Sequence, residues 1–264
     1  MTMKLAGKTA VVTGSTAGIG YAVALGLARE GAHVHINGRT QARVAAAIAG
    51  IHREVPDAEV EGFAQDLGTA AGCEQLVRHL ASVDILVNNL GVFEAKPFEE
   101  IPDADWLRLF EVNVMSGVRL SRAYLPGMKQ RNWGRIVFIS SESAVHIPAE
   151  MVHYGMTKTA QAAVARGIAE GCAGTNVTVN SVLAGPTASE GVTTFVNDLA
   201  RKQNVTPAEF EEQFFKNMRP TSLLKRFLKP EEVASVVVYV CSPEASAVNG
   251  AAIRAEGGVI KAVF

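Results

Sequence analysis

Cysteine is scarce in this chain. Its three residues, Cys73, Cys172 and Cys241, stand far apart, form no C-x-x-C pair and are odd in number. That pattern argues against a disulfide framework and against a cysteine-ligated zinc site, so reduced, buried thiols are expected and no metal site is expected. Charge of either sign is also modest: charged residues make up 19% of the chain, the formal net charge is −1, and no lysine- or arginine-rich run stands out. Nothing in that balance points to nucleic acid or to an anionic membrane as partner. No apolar run approaches the ~20 residues of a membrane span, and no signal peptide precedes the first strand pattern at Thr9. A soluble, cytoplasmic protein is the expectation. Internal repeats and compositional breaks are absent too, so the 264 residues are expected to form one domain.

What the chain has is a 48% hydrophobic composition arranged in alternation. Short runs rich in β-branched residues predict strands over 9–13, 33–36, 60–63, 84–87, 136–140, 177–182 and 252–255. Longer amphipathic or alanine-rich stretches predict helices over 19–30, 40–54, 70–81, 103–129, 151–172 and 230–241, with Asp103 expected to cap the fourth of them. Strands apolar on both faces, alternating with helices, imply an α/β fold: a doubly wound, Rossmann-type parallel sheet of about seven strands flanked by helices on both faces. One segment departs from this rhythm. Residues 186–229 carry helical patterns but no strand, and an excursion of that length after a strand's carboxyl end is expected to be a lid or substrate loop.

Three sites of chemistry stand out. Thr13-Gly14-Ser15-Thr16-Ala17-Gly18-Ile19-Gly20 lies where the first strand turns into the first helix. There the glycines permit a tight turn and close backbone approach to a pyrophosphate, and the helix start offers its free N–H groups to the anion. Tyr154 and Lys158 are four residues apart and share a helix face. A lysine beside a tyrosine favours the phenolate, so it is expected to lower a pKa that is ~10 when unperturbed and to make the phenol a usable acid/base. Thirdly, Asn37-Gly38-Arg39-Thr40 ends the second strand without a carboxylate. NAD is recognised through an acidic residue on its ribose, whereas NADP needs positive charge for its 2′-phosphate. Arg39, with Thr40 as a second donor, therefore favours NADP(H), with NAD(H) as the alternative.

The spacing T-G-x-x-x-G-x-G together with Y-x-x-x-K resembles the short-chain dehydrogenase/reductase family, and the resemblance spans Gly7 to Gly258. It implies that Gly14, Ser15, Thr16, Gly18, Ile19 and Gly20 bind the cofactor, and that Asp66 and Leu67 contact its adenine. Asn88-Asn89-Leu90-Gly91 resembles the family's Asn-Asn-Ala-Gly, with Leu90 in place of alanine, and adds Asn89 and Gly91 to the cofactor set. The implied catalytic tetrad is Asn113, Ser141, Tyr154 and Lys158, with Ser143 the runner-up serine. In that scheme Tyr154 protonates the developing alkoxide and Ser141 holds the substrate oxygen. Lys158 lowers the tyrosine's pKa and binds the nicotinamide ribose, and Asn113 holds a water that links Lys158 to solvent. The segment Gly185-Pro186-Thr187 faces the carboxamide, with Ala184 where the family has proline and Thr187 or Ser189 supplying a hydroxyl.

The implied activity is NADP(H)-dependent hydride transfer between a ketone and a secondary alcohol, on a small-molecule substrate. Alternatives are an NAD-dependent secondary-alcohol or steroid dehydrogenase, and a non-catalytic nicotinamide-binding redox sensor. His146, Glu150 and His153 are polar candidates near the substrate, although solvated histidines are the commoner outcome. Phe195, Phe210, Phe214, Phe215 and Met218 in the excursion favour a substrate with apolar surface. The ending Asn249–Gly258, with Glu256 replacing the family's aspartate, and the alanine-rich helices resemble members that assemble as homotetramers.

Overall fold

The computed structural model describes residues 5–263, apart from the side chains of residues 195, 198, 199, 202 and 203. The extreme N-terminus, on which the absence of a leader was partly read, lies outside the described residues. Seven strands form one sheet: β1 (Thr9–Val12), β2 (His33–Gly38), β3 (Val60–Ala64), β4 (Ile85–Asn88), β5 (Gly134–Ser141), β6 (Val177–Ala184) and β7 (Ala252–Ala255). Their order is β3-β2-β1-β4-β5-β6-β7 and every pairing is parallel. The order reverses between β1 and β4, which places a crevice beyond the carboxyl ends of those strands.

Helices cover both faces because the central strands are apolar on both. On one face α1 (Gly18–Arg29), α2 (Gln41–Glu54) and α9 (Pro230–Cys241) bury Val23, Leu27, Ile51, Val233 and Val237 against Val12, Ile36, Val87 and Val182. On the other, α3 (Ala70–His79), α5 (Ser116–Gln130) and α6 (Val152–Glu170) bury Leu76, Leu120, Met128 and Ala165 against Val11, Leu86, Ile136 and Val179. The three cysteines are free and buried in these layers. Among the described residues no helix is long and apolar enough to cross a membrane.

The helix expected over 103–129 is three pieces. α4 (Asp103–Phe110) runs into a π-helical turn, Glu111–Met115, before α5 begins. Asp103 is not its cap: Pro102 occupies that position, and Asp103 sits in the first turn, where its charge still favours the helix dipole. Likewise Met151 belongs to a 3-10 turn, and α6 starts at Val152. The excursion contributes α7 (Glu190–Gln203), α8 (Pro207–Gln213) and a second π turn, Phe214–Met218. Its small core of Val196, Ala200 and Phe210, with Phe214 and Phe227 against it, is separate from the main layers. A bridge between Thr187 and Leu228 ties the two ends of the segment together.

Candidate active site

The glycine turn is built from inside outward. Gly14 and Gly18 have φ of 60° and 59°, a region that residues with a side chain seldom adopt. Ser15 is fully buried, donating to the Val12 carbonyl at 2.6 Å and accepting the Asn37 N–H at 2.9 Å. Its hydroxyl therefore shapes the turn and does not face an anion. Asn37 reinforces it, accepting from the Gly14 N–H and donating to the Phe63 and Gln65 carbonyls. Asn89 does the same from the segment after β4, its amide donating to the Thr13 and Gly14 carbonyls at 2.9 and 3.0 Å. A Cβ at Gly20 would lie 2.4 Å from the Asn89 amide nitrogen and 2.6 Å from the Gly14 carbonyl oxygen. The backbone there can pack this closely only as glycine, which leaves the start of α1 open to a phosphate; the residues present fit a dinucleotide.

The adenosine end is arranged differently. Arg39 and Thr40 follow β2 and are exposed, with Thr40 capping α2 through the Arg43 N–H. A Cβ at Gly38 would meet the Thr16 methyl at 2.4 Å, so any side chain there would have to displace Thr16. Asp66 is exposed and accepts the Gly68 N–H at 2.9 Å, while Thr69 caps α3; Asp66 is not the cap. The Leu67 side chain is buried in the core, which leaves only its backbone for a ligand.

Between the turn and the excursion opens a cavity of about 390 Å³, lined by Gly18, Ile19, Gly20, Asn89, Gly91, Ser141, Tyr154, Lys158, Gly185, Pro186 and Thr187. That volume suits a small-molecule site. Gly14, Ser15, Thr16, Arg39, Thr40, Asp66, Leu67 and Asn113 lie outside it. Gly185 is forced by close approach, since its Cβ would fall 2.5 Å from the Glu256 carbonyl oxygen. Glu256 in turn ties down the chain after β7, accepting the N–H groups of Val259 and Ile260. Thr187 donates to the Gly185 carbonyl at 2.9 Å, and Ser189 caps α7. Leu90 leans on the second core layer, away from the cavity lining.

β5 delivers its serines to different tasks. Ser140 turns to α6 and donates to the Lys158 carbonyl at 2.8 Å. Ser141 and Ser143 both line the cavity, and the Ser141 hydroxyl sits beside the Tyr154 phenol. Tyr154 and Lys158 project from α6 to the same cavity, the ammonium 5.5 Å from the centre of the tyrosine ring. The expected pKa coupling between them is not what this arrangement produces. Burial pushes the Tyr154 phenol up to about 12, opposed by the Ser141 hydroxyl. Burial also brings the Lys158 ammonium down to about 8. For the phenol desolvation wins because the ammonium donates elsewhere, to the Ile139 carbonyl at 2.8 Å and to Gln161 Oε1 at 3.1 Å. Tyr154 is thus held protonated at neutral pH, in the form that donates.

Asn113 is buried inside the π turn. Its side chain exchanges hydrogen bonds with the Val92 backbone at 2.8 and 2.9 Å and donates to Thr157 Oγ1 at 3.0 Å. Its backbone carbonyl accepts from Gln161 Nε2 at 2.6 Å. That partner was not expected, although Gln161 lies three residues beyond Lys158 and so neighbours it on the helix.

Two further residues of the cavity wall carry no motif. Glu142, next to Ser141, accepts from Arg219 Nε at 2.8 Å, and both are buried. Burial raises the Glu142 carboxyl above its usual range, opposed by the Arg219 guanidinium. Glu150 joins the lining, His146 is exposed, and His153 is fully buried against Trp106, its pKa lowered by burial. His153 is therefore a neutral core residue and not a solvated one. Phe210, Phe214 and Met218 line the cavity, while Phe215 is buried beside them; the Phe195 side chain lies outside the described residues.

A parallel sheet with its crevice at the switch point, a glycine turn at the start of α1 and a Ser–Tyr–Lys group on one cavity define a Rossmann-type, nucleotide-dependent oxidoreductase. The chain belongs to the short chain dehydrogenase family, whose sequence pattern matches residues 8–200. It is similar to the uncharacterized oxidoreductase YvaG of Bacillus subtilis (strain 168), 50% identical with both chains covered in full. It is also similar to the uncharacterized oxidoreductase YvrD of the same organism, 45% identical over the whole of both. Among solved structures, L-sorbose reductase from Gluconobacter frateurii, complexed with NADPH and L-sorbose, superposes with a TM-score of 0.93 at 31% identity, with both chains covered in full.

Proposed function

We propose that this oxidoreductase is NADP(H)-dependent and interconverts a ketone and a secondary alcohol, with Tyr154 as the general acid/base. The observation that carries the proposal is the convergence of Ser141, Tyr154 and Lys158 on the cavity that the start of α1 also lines. Bound NADPH supplies the hydride. The chain's own residues do the rest. Ser141 holds the carbonyl oxygen and stabilises the charge that develops on it. Tyr154, protonated at neutral pH, gives that oxygen its proton. Lys158 keeps a positive charge beside the phenol as the proton leaves. Asn113 acts through structure, fixing Val92 and Thr157 around the site. Gly14, Gly18, Ile19, Gly20 and Gly91 form the cofactor's bed, with Gly185, Pro186 and Thr187 opposite.

NADP(H) is favoured by Arg39, exposed just after β2, and by the absence of a carboxylate from Asn37-Gly38-Arg39-Thr40. The NADPH-bound L-sorbose reductase supports the same preference. The apolar wall of Phe93, Met151, Phe214 and Met218 suits a ketone with apolar surface, and residues 186–229 serve as its lid. The whole chain then acts as one catalytic domain, cytoplasmic and homotetrameric.

Arg39→Ala tests the cofactor assignment. Its KM for NADPH is expected to rise at least ~10-fold while that for NADH changes little, since a guanidinium pairs with a phosphate and not with a ribose hydroxyl. Wild-type kcat/KM at least tenfold better with NADH would overturn the preference.

A further inference from the structure

Lys158 is expensive to keep charged. Its Nζ is buried, and desolvation disfavours the ammonium. An ammonium has three hydrogens to place. One goes to the Ile139 carbonyl at 2.8 Å and one to Gln161 Oε1 at 3.1 Å, which leaves one for the cavity.

We propose that Gln161 is a positioning residue of this active site: its side-chain amide bridges the Lys158 ammonium and the Asn113 carbonyl, fixing the lysine's charge and direction. The inference rests on the proposed hydride-transfer chemistry only for its consequence in turnover. The geometry is independent of it.

The bridge has one workable orientation. Gln161 is buried, 1% exposed, and its two amide ends face unlike partners. Oε1 meets a donor, Lys158 Nζ, and Nε2 meets an acceptor, the Asn113 carbonyl at 2.6 Å. Turned over, the amide would set N–H against N–H and oxygen against oxygen, so the two ends lock each other. The Asn113 carbonyl is itself held in place, because the Asn113 side chain is bonded to Val92 and Thr157. A lysine tethered in this way is anchored through α6, β5 and the π turn at once.

Of the elements around the ammonium, β5 brings the Ile139 carbonyl, the segment after β4 brings Gly91, and the π turn reaches it through the bond between Asn113 and Gln161. None of these is charged. Tyr154 on α6 is the titratable neighbour, and the Glu142–Arg219 pair reaches the site through the phenol. The amide oxygen is thus the nearest side-chain group that stabilises the ammonium. Removing it should lower the lysine's titration midpoint, and replacing it by a carboxylate should raise it.

The test is an NMR titration of protein carrying [13Cε]lysine, with the Lys158 signal identified by its loss in Lys158→Arg. Gln161→Leu is expected to move the midpoint down by ~0.5–1 unit, and Gln161→Glu to move it up by a similar amount. The alkaline limb of kcat, where Lys158 loses its proton, should shift in the same two directions. A merely structural glutamine gives no such opposite pair. Midpoints in both variants within ~0.2 unit of wild type would overturn the proposal. Gln161→Met replaces the leucine variant if that one does not fold, and loss of the fold in all three, seen by circular dichroism, would overturn it as well. Midpoints that move as expected, in a protein that reduces no ketone, would leave Gln161 its role and remove the proposed reaction instead.

Discussion

Tyr154→Phe is expected to bind NADPH within about threefold of wild type while its turnover falls by at least ~10², the scale of general acid catalysis. The substitution removes one oxygen and leaves the ring that meets Phe93 edge-on at 6.3 Å. The expected loss follows from the phenol's state. With its pKa pushed up to about 12 by burial, Tyr154 is protonated across the neutral range, so it is a donor in reduction without needing prior activation. For oxidation the same shift is a handicap, which the Ser141 hydroxyl and a nearby positive charge oppose. Turnover should therefore fall in both directions, and equilibrium binding, read by NADPH fluorescence, separates lost chemistry from lost affinity. Turnover within a factor of ten of wild type would remove Tyr154 from the acid/base role.

Gly20→Ala is expected to weaken NADPH binding by at least ~10²-fold and to lower stability as well, because the added carbon meets backbone. It would lie 2.6 Å from the Gly14 carbonyl oxygen, 3.0 Å from Ser15 Cα and 2.4 Å from the Asn89 amide nitrogen. Asn89 can swing aside, but the Gly14 and Ser15 backbone cannot do so without opening the turn that Ser15, Asn37 and Asn89 hold from behind. The matched control is Gly167→Ala on α6, where a Cβ meets nothing within 4 Å. That variant should bind NADPH like wild type and gain ~0.5–1 kcal/mol in urea denaturation, the helix-propensity difference between the two residues. Equal NADPH affinity in Gly20→Ala and wild type would contradict the packing argument.

The sheet was legible in the sequence because each strand is a short apolar run between helical stretches, and that signal survives without tertiary information. Strand ends were less so. β2 continues through Asn37 and Gly38, which have little strand preference, because their pairing with Phe63 and Ala64 holds them in the ladder. The π turn could not be read at all. Glu111-Val112-Asn113-Val114-Met115 has an ordinary helical composition, and bonds to Val92 and Gln161, distant in sequence, accompany its widening. At the site, Tyr154 and Lys158 could be put on one face from spacing alone. The balance between burial and charge could not, since it depends on the Ile139 carbonyl and on Gln161. Arg219 was invisible for a similar reason: it lies in an excursion without a motif, and only the fold brings it to Glu142.

The most direct measurement is the fate of a deuterium atom. NADPH deuterated at nicotinamide C4, in each of its two epimers, is incubated with the protein and a panel of ketones bearing apolar groups, and the alcohol is examined by mass spectrometry and NMR. The proposed chemistry requires deuterium from one epimer on the carbinol carbon and none from the other, with product formation abolished or reduced at least ~10²-fold in Tyr154→Phe. Oxidation of NADPH without deuterium in the alcohol, or alcohol formed at the same rate by Tyr154→Phe, would contradict it.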